Sequence, residues 1–324
     1  MSDALAVDPR AVFAAGRLIA LPTETVYGLA APIDRPDLVA RIFELKGRPA
    51  SNPLIVHVGS IEQARSCVSQ WPELAQRLAE RFWPGPLTLV LPKAAHISDA
   101  ITAGQPTVAL RMPDHPLALA ILNASPAPLV APSANLFTRL SPTRAEDVRA
   151  VFEPADVEVV DGGPCRVGIE STILGLDIDT RTLRWLRPGQ ISQSDITAEL
   201  PPGWKLKVIS ERSKEAIDVT PGRMQEHYRP AKPLTVVISE RSAETVFSDV
   251  GAGWRLVSLP QEASAAARRL YRALREADQD HVARLGLCLP PCCLDQPPWE
   301  GVVNRLRKAA SQWHDERALG PYRA

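Results

Sequence analysis

The run ELKGRPASNPLIVHV, residues 44–58, joins an amphipathic segment to a strand, and its reading decides the fold. Upstream, PDLVARIFELK carries apolar residues at helical spacing, and Gly47 follows where a cap belongs. Lys46 and Arg48 thus stand at the carbonyl end of a helix, where positive charge offsets the macrodipole. Downstream, Pro49 and Pro53 stiffen a polar loop holding Ser51 and Asn52, and PLIVHV reads as a buried strand. A stiff polar loop beside a strand is a place where sites are built. The two cations therefore have two readings, as dipole partners or as fixed charges of a site.

The same rhythm extends in both directions. RLIALPT, PLIVHV, PLTLVLP, TVALRMP, PLVAPSA, VEVVDGG, STILGL and LRWLRPG read as strands; PDLVARIFELK, IEQARSCVSQ, PELAQRLAERF and HPLALAILNA read as helices. That alternation defines an α/β domain. Several strands finish in polar tripeptides beside Pro or Gly, such as PTE, PSA and GIES, so their polar ends are expected to converge on one cleft. Residues 201–233 lose the period, are rich in Pro, Gly and charge, and read as a long linker. Beyond it, LTVVIS, WRLVSLP and RLGLCLP alternate with AETVFSDV, ASAAARRLYRALREAD and WEGVVNRLRKAA, the pattern of a small parallel sheet. Its first strand-to-helix turn, VISERSAE, lacks the glycines that let a dinucleotide phosphate approach, so a Rossmann-like shape without that cofactor is expected.

Bulk properties exclude several classes. The 324 residues exceed one usual core, so two domains are the default. Thirty-seven basic against thirty-seven acidic side chains argue against a protein that coats nucleic acid, since neutralising phosphate needs excess Lys and Arg. The start MSDALAVDPRAVFAAG lacks the basic and apolar regions of a signal peptide, and no apolar run approaches a membrane span. Five cysteines, an odd number without a disulfide framework, place the chain in a reducing cytoplasm. Cys288, Cys292 and Cys293 cluster, yet no second pair follows at zinc-site spacing, and they are expected at the end of a strand.

Candidate chemistry is dispersed. LPTETVYGLA places Thr23, Glu24, Thr25 and Tyr27 on one turn, either a Pro-led cap of a helix or a grip for a small polar ligand. APSANLFTRLSPT offers Ser133, Asn135 and Ser141, which can donate to phosphate oxygens, recognise a purine edge or form local turns. GIESTI supplies Ser171 and Thr172, and LRPG supplies Arg187, a surface cation or a fork for phosphate. There is no Walker loop, no paired Cys and His nucleophile and no zincin helix.

Taken in order, PTETVYGL, KGRPASNPL, FWPGPLTLVL, ALRMPDHP, APSAN, SPT, GIESTI and LRPGQI closely resemble the YrdC-like domain of the L-threonylcarbamoyladenylate synthases, over residues 11–191. The remainder, with TPGRMQEHYRP, LYRALREAD and VVNRLRKAA, is similar to that family's two-domain form. The resemblance implies a YrdC-like twisted mixed sheet with helices and a concave cleft at 1–204, a linker or lid at 205–233, and a Rossmann-like parallel α/β domain at 234–324. It implies synthesis of threonylcarbamoyl-AMP and pyrophosphate from L-threonine, bicarbonate and ATP, with Mg2+ carried by the ATP. The product would pass to a threonylcarbamoyl transferase complex for tRNA modification.

By the same resemblance Lys46 and Arg48 are catalytic and bind the triphosphate, with Asn52, Ser133, Asn135, Ser141 and Arg187 at the nucleotide end. Thr23, Thr25, Tyr27, His57, Arg111 and Ser171 fall at the threonine and carbamate end, and Tyr228 in the lid. On residue type alone, His57 is an ordinary sheet histidine and Arg111 a surface arginine or a carboxylate fork. One departure stands out: Thr138 occupies a loop position where the family often has glycine. A competing reading is an RNA-binding module without catalysis; the neutral charge and only 5% aromatic residues count against it and against direct tRNA binding. Carbamoyl-transfer proteins of metal-centre maturation form a third reading, but their acylphosphatase-like and zinc-finger segments have no counterpart here.

Overall fold

Helix Pro36–Lys46 opens with proline at its first position and Asp37 in its first turn, and it buries Leu38, Val39, Ile42 and Lys46 along one stripe. Gly47 ends it in the left-handed region at φ 59°, which glycine adopts without steric cost. The Gly47 N–H donates to the Glu44 carbonyl at 3.0 Å and the Arg48 N–H to Phe43 at 2.9 Å. The chain then turns through Pro49 and Asn52 into strand β3, Ile55–His57.

The computed structural model describes residues 7–209, 227–248, 253–279 and 281–319. Its contacts divide into two units: Met1–Phe137, Pro142–Arg166 and Glu170–Arg223 form the first, and Thr138–Ser141, Val167–Ile169 and Met224–Ala324 the second. Among the described residues no helix is long and apolar enough to cross a membrane.

The first unit is built on one ten-stranded mixed sheet. Besides β3, its strands are β1 (Leu18–Leu21), β2 (Gly28–Pro32), β4 (Leu87–Pro92), β5 (Thr107–Arg111), β6 (Leu129–Val130), β7 (Val157–Val159), β8 (Thr172–Asp177), β9 (Thr182–Arg187) and β10 (Lys205–Val208). They lie in the order β10-β9-β8-β4-β5-β3-β6-β2-β1-β7. Parallel pairs (β3 with β5, β4 with β8, β1 with β7, β9 with β10) are combined with antiparallel ones, so the expected mixed sheet is present.

Side-chain alternation sorts this sheet into two faces. Val56, Leu87, Leu89, Leu91, Val108, Leu110 and Leu174 enter the main core. Their neighbours Ile55, Val90, Ala109, Ile173 and Leu186 form a smaller apolar cluster. Two positions along the same strands from members of that smaller cluster stand His57, Thr88 and Arg111, and Ser171 stands two before Ile173, immediately ahead of β8. A period of two thus delivers four polar side chains to one face.

Three strands escape the sequence pattern. β2 is Gly-Leu-Ala-Ala-Pro, with small residues where β-branched ones announce a strand. The turn before it caps no helix: the chain enters β2 directly. β10 lies inside the stretch read as linker and pairs in parallel with β9, Lys205 opposite Thr182. Most of that stretch, residues 210–226, lies outside the described residues.

The second unit holds a four-stranded parallel sheet, β12-β13-β11-β14, from β11 (Leu234–Ile238), β12 (Trp254–Leu256), β13 (Arg284–Leu289) and β14 (Gln312–Asp315). β14 is the third unexpected strand; Gln-Trp-His-Asp is too short and polar to read as one. Helix Ala263–Asp278 is capped by the Glu262 carboxylate, which accepts from the Ser264 and Ala265 N–H groups, and buries Ala266, Leu270, Tyr271, Leu274 and Ala277. The Rossmann-like expectation is met in this small parallel sheet.

Candidate active site

Lys46 is only 2% exposed, so it is not a solvated dipole partner reaching water. Its ammonium donates to the carbonyls of Ser133 at 2.6 Å and Asn135 at 2.5 Å. Burial, and then the nearby Arg48 charge, push its pKa well below the ordinary lysine value. The Phe137 N–H returns to the Lys46 carbonyl at 2.8 Å, so helix end and loop 133–137 are pinned to each other. Two of the three ammonium donors thus serve the fold.

Arg48 is likewise buried; its Nε donates to the Asn52 carbonyl at 3.2 Å and Nη2 to that of Pro53 at 2.8 Å. These bonds hold the loop so that Asn52, 7% exposed, has its Nδ2 donor buried without a hydrogen-bond partner among the described residues. An unmet buried donor costs about 1–3 kcal/mol unless a ligand accepts from it. Ser51 is exposed. Asn135 turns its Nδ2 to the Leu136 carbonyl at 2.6 Å, and Ser133, half-buried, bridges to Gly28.

The Thr23 hydroxyl is spent locally: it donates to the Val26 carbonyl at 2.6 Å and accepts from the N–H groups of Thr25 and Val26, both at 3.2 Å. Thr25 Oγ1 lies 2.9 Å from it. The Tyr27 hydroxyl donates to the Gly163 carbonyl at 2.8 Å and accepts from the Gly162 N–H at 3.1 Å, while burial pushes its pKa up to about 12. Turn 23–27 is tied down further: the Tyr27 N–H donates to the Pro142 carbonyl at 2.9 Å, the Ala134 N–H reaches the Tyr27 carbonyl at 2.8 Å, and the Glu24 carboxylate lies 2.7 Å from Arg111 Nη2.

The Glu24–Arg111 pair is buried, 1% and 5% exposed at the side chains. Despite the short approach, neither carboxylate oxygen nor Nη2 completes an aligned hydrogen bond among the described residues. Charge is balanced while hydrogen-bonding capacity remains. His57 is registered beside Arg111 across β3 and β5. Its Nδ1 faces the Ile55 carbonyl at 3.2 Å, and burial first, then the Arg111 charge, push its pKa down to about 3. His57 is therefore neutral at physiological pH and takes no part as a cationic acid.

Ser171 Oγ sits 2.8 Å from Thr88 Oγ1 and accepts from Arg187 Nη2 at 3.1 Å; Arg187 Nε also reaches the Ser171 carbonyl at 3.1 Å. A bulge produces this: Ile173 faces Arg187 while Leu174 faces Trp185, leaving Leu186 unmatched. Gly189 permits the close return of the chain, since a Cβ there would meet the Thr172 nitrogen at 2.3 Å.

Two candidates belong to the second unit. Ser141 is buried there, in segment Thr138–Ser141, whose Leu140 and Ser141 carbonyls accept from Arg275 Nη2 at 3.2 and 3.4 Å. Tyr228, buried at φ 63°, stacks edge-on with His227 at 4.1 Å between ring centroids and lies under the Arg305 guanidinium, 5.8 Å from its ring. Thr138 has φ 69°, the left-handed conformation that explains why glycine suits this position.

Sequence reasoning named Glu24 only as a possible ligand grip, not as the partner of Arg111, and gave Thr88 and Cys165 no place in the site. Glu24 was visible in its motif; Thr88 sits in a run that reads as plain strand, and only its Ser171 partner reveals it. The Cys165 thiol is buried and pushed strongly up by burial and by Glu24, so it is no thiolate nucleophile. Among the described residues no group of three or more His, Cys, Asp or Glu could hold a metal ion.

The fold and these contacts define an α/β protein whose first unit buries cations, an amide and hydroxyls on strand ends and the loops beside them. The chain belongs to the Sua5/YciO/YrdC family, whose model, described as telomere recombination, matches residues 11–189. A second model, the threonylcarbamoyl-AMP synthase C-terminal domain, matches residues 191–311. The threonylcarbamoyl-AMP synthase of Bacillus subtilis is 39% identical over 94% of this chain and 93% of its own. That of Pyrococcus abyssi is 37% identical over 91% of each. The solved structure of Pyrococcus abyssi Sua5 complexed with L-threonine covers 95% of this chain and 97% of its own, at 35% identity and a TM-score of 0.83.

Proposed function

We propose that this chain is a threonylcarbamoyl-AMP synthase, joining L-threonine, bicarbonate and MgATP into threonylcarbamoyl-AMP and pyrophosphate. The observation that carries the reading is similarity along nearly the whole chain to relatives so named. The cleft supports it through its chemistry.

Threonine's amine adds to the carbonate carbon, water leaves, and a carbamate results. A carbamate oxygen then attacks the α-phosphorus while its bond to pyrophosphate breaks. Neither step needs a protein nucleophile, so catalysis rests on alignment and charge. The third Lys46 donor, the Arg48 guanidinium and Asn52 Nδ2 meet the triphosphate, with Ser133, Asn135 and Arg187 at the nucleotide. Magnesium enters on the triphosphate, where it neutralises phosphate charge.

Arg111, held in place by Glu24, takes the threonine carboxylate or the carbamate, with Ser171 and Thr25 alongside. Neutral His57 can hydrogen-bond the carbamate without adding a charge. Thr23 and Tyr27 shape the turn, their hydroxyl protons being already engaged. The product is an activated acyl adenylate, consumed by a threonylcarbamoyl transferase acting on tRNA in the cytoplasm. The chain's zero net charge supports a synthase that does not itself hold tRNA.

The test is pyrophosphate release from ATP by purified protein with and without L-threonine and bicarbonate. Release that needs both co-substrates is the expected result. Background release under every condition, from folded protein, rejects the reading and favours an RNA-binding module.

A further inference from the structure

The second unit contains a cavity of about 370 Å3 at the carboxyl ends of β12 and β13. Cys288, Leu289 and Pro290 at the end of β13 meet Leu259, Pro260 and Gln261 beyond β12; Cys292, Cys293, Gln296 and Trp299 complete the lining. In open parallel α/β sheets, ligands bind outside the carboxyl ends of the strands. The volume falls toward the low end of the range for small-molecule pockets.

Its chemistry narrows the ligand. Among the described residues no charged side chain lines it, the prolines donate no N–H, and the following helix, Cys292–Asp295, is a single turn. A phosphate would find no cation among these side chains. Burial pushes the Cys288 and Cys293 thiols up to about 11, so they stay protonated and act as soft, weakly polar wall. Cys288 also packs against the Val237, Val246 and Phe247 cluster, which fixes that wall. The strong hydrogen-bonding side chains are the amides of Gln261 and Gln296, each both donor and acceptor. Trp299 is a buried aromatic surface.

We propose that this cavity binds a neutral planar heterocycle of nucleobase size, whose amide-like edge is read by Gln261 and Gln296 and whose faces lie against Trp299, Leu259 and the thiols. The site is separate from the cleft of the first unit, and the inference stands whether or not the synthase reading holds.

The full-length protein is alkylated with iodoacetamide in the presence and absence of adenine or uracil, and modification of Cys292, exposed at the rim, is followed by peptide mass. A base at twice its dissociation constant slows that alkylation about threefold by mass action. The protection is lost in Gln261→Ala/Gln296→Ala, whose positions are exposed so that the fold survives, and is retained in Lys46→Ala. Unchanged alkylation at the solubility limit of both bases overturns the proposal. So does protection that survives the glutamine variant or disappears in Lys46→Ala.

Discussion

Both units are α/β and both place side chains beyond strand ends, yet they bury opposite chemistries there. The first unit buries Lys46, Arg48, Glu24, Arg111 and Asn52, leaving Asn52 Nδ2 and both Glu24 oxygens without aligned partners. The second lines its cavity with proline, leucine, cysteine, tryptophan and two amides. Buried charge is costly unless something compensates it. In the first unit the buried charges belong to the candidate site, whereas the buried Arg305 and Lys308 of the second unit lie outside its cavity lining.

The sharpest way to break this contrast is to remove the first unit's cations. Lys46→Ala with Arg48→Ala is expected to lower threonine- and bicarbonate-dependent pyrophosphate release by more than about 10³-fold, since one preorganised charge-stabilising group is worth 10²–10³. Unaltered release would show that these cations only hold loops. Next, Arg111→Met strands the Glu24 carboxylate in the interior and should cost about 3–5 kcal/mol of stability in urea unfolding. Adding Glu24→Gln should restore most of that stability but not the activity; a double variant as unstable as the single would contradict the pairing.

His57 gives a pH-dependent difference. Its folded pKa of about 3 lies below the unfolded 6.5, so the unfolded state binds the proton first as pH falls. The stability it contributes is fully present above pH 6.5 and is lost progressively toward pH 3, at about 1.4 kcal/mol per pH unit. His57→Gln should be less sensitive than the parent by about 2 kcal/mol between pH 6.5 and 5, measured as the change in urea midpoint. Parallel curves would mean that His57 is not desolvated. The smallest effect is in the second unit: Thr138→Gly should raise stability by about 0.5–1 kcal/mol, because the left-handed conformation strains a β-branched residue more than glycine's entropy costs.

Eight strands of the first sheet and its four longest helices were legible because their apolar residues repeat with period two or 3.6. β2, β10 and β14 were not, because small residues, an exposed edge and a polar tetrapeptide carry little periodicity; only their partners make them strands. The site was legible in a similar measure. The helix end with Lys46 and the polar strand ends could be read directly, but the ammonium's grip on two carbonyls of a loop 87 residues further on could not. Arg111 gained meaning from Glu24, and Thr88 from Ser171, pairings made by register rather than by neighbours in the chain. His57 and Arg111 illustrate the limit: each is commonplace in its own strand, and it is the β3–β5 alignment that makes them one locus.

The Lys46 clamp also bears on how freely this molecule can drift in sequence. A cation that holds main-chain oxygens holds groups that every amino acid possesses. The side chains beyond Asn135 can therefore be exchanged, as with exposed Leu136, without moving the anchor points. The loop is secured by a feature that mutation cannot erase from its own residues, and its vulnerability is concentrated instead in one distant lysine.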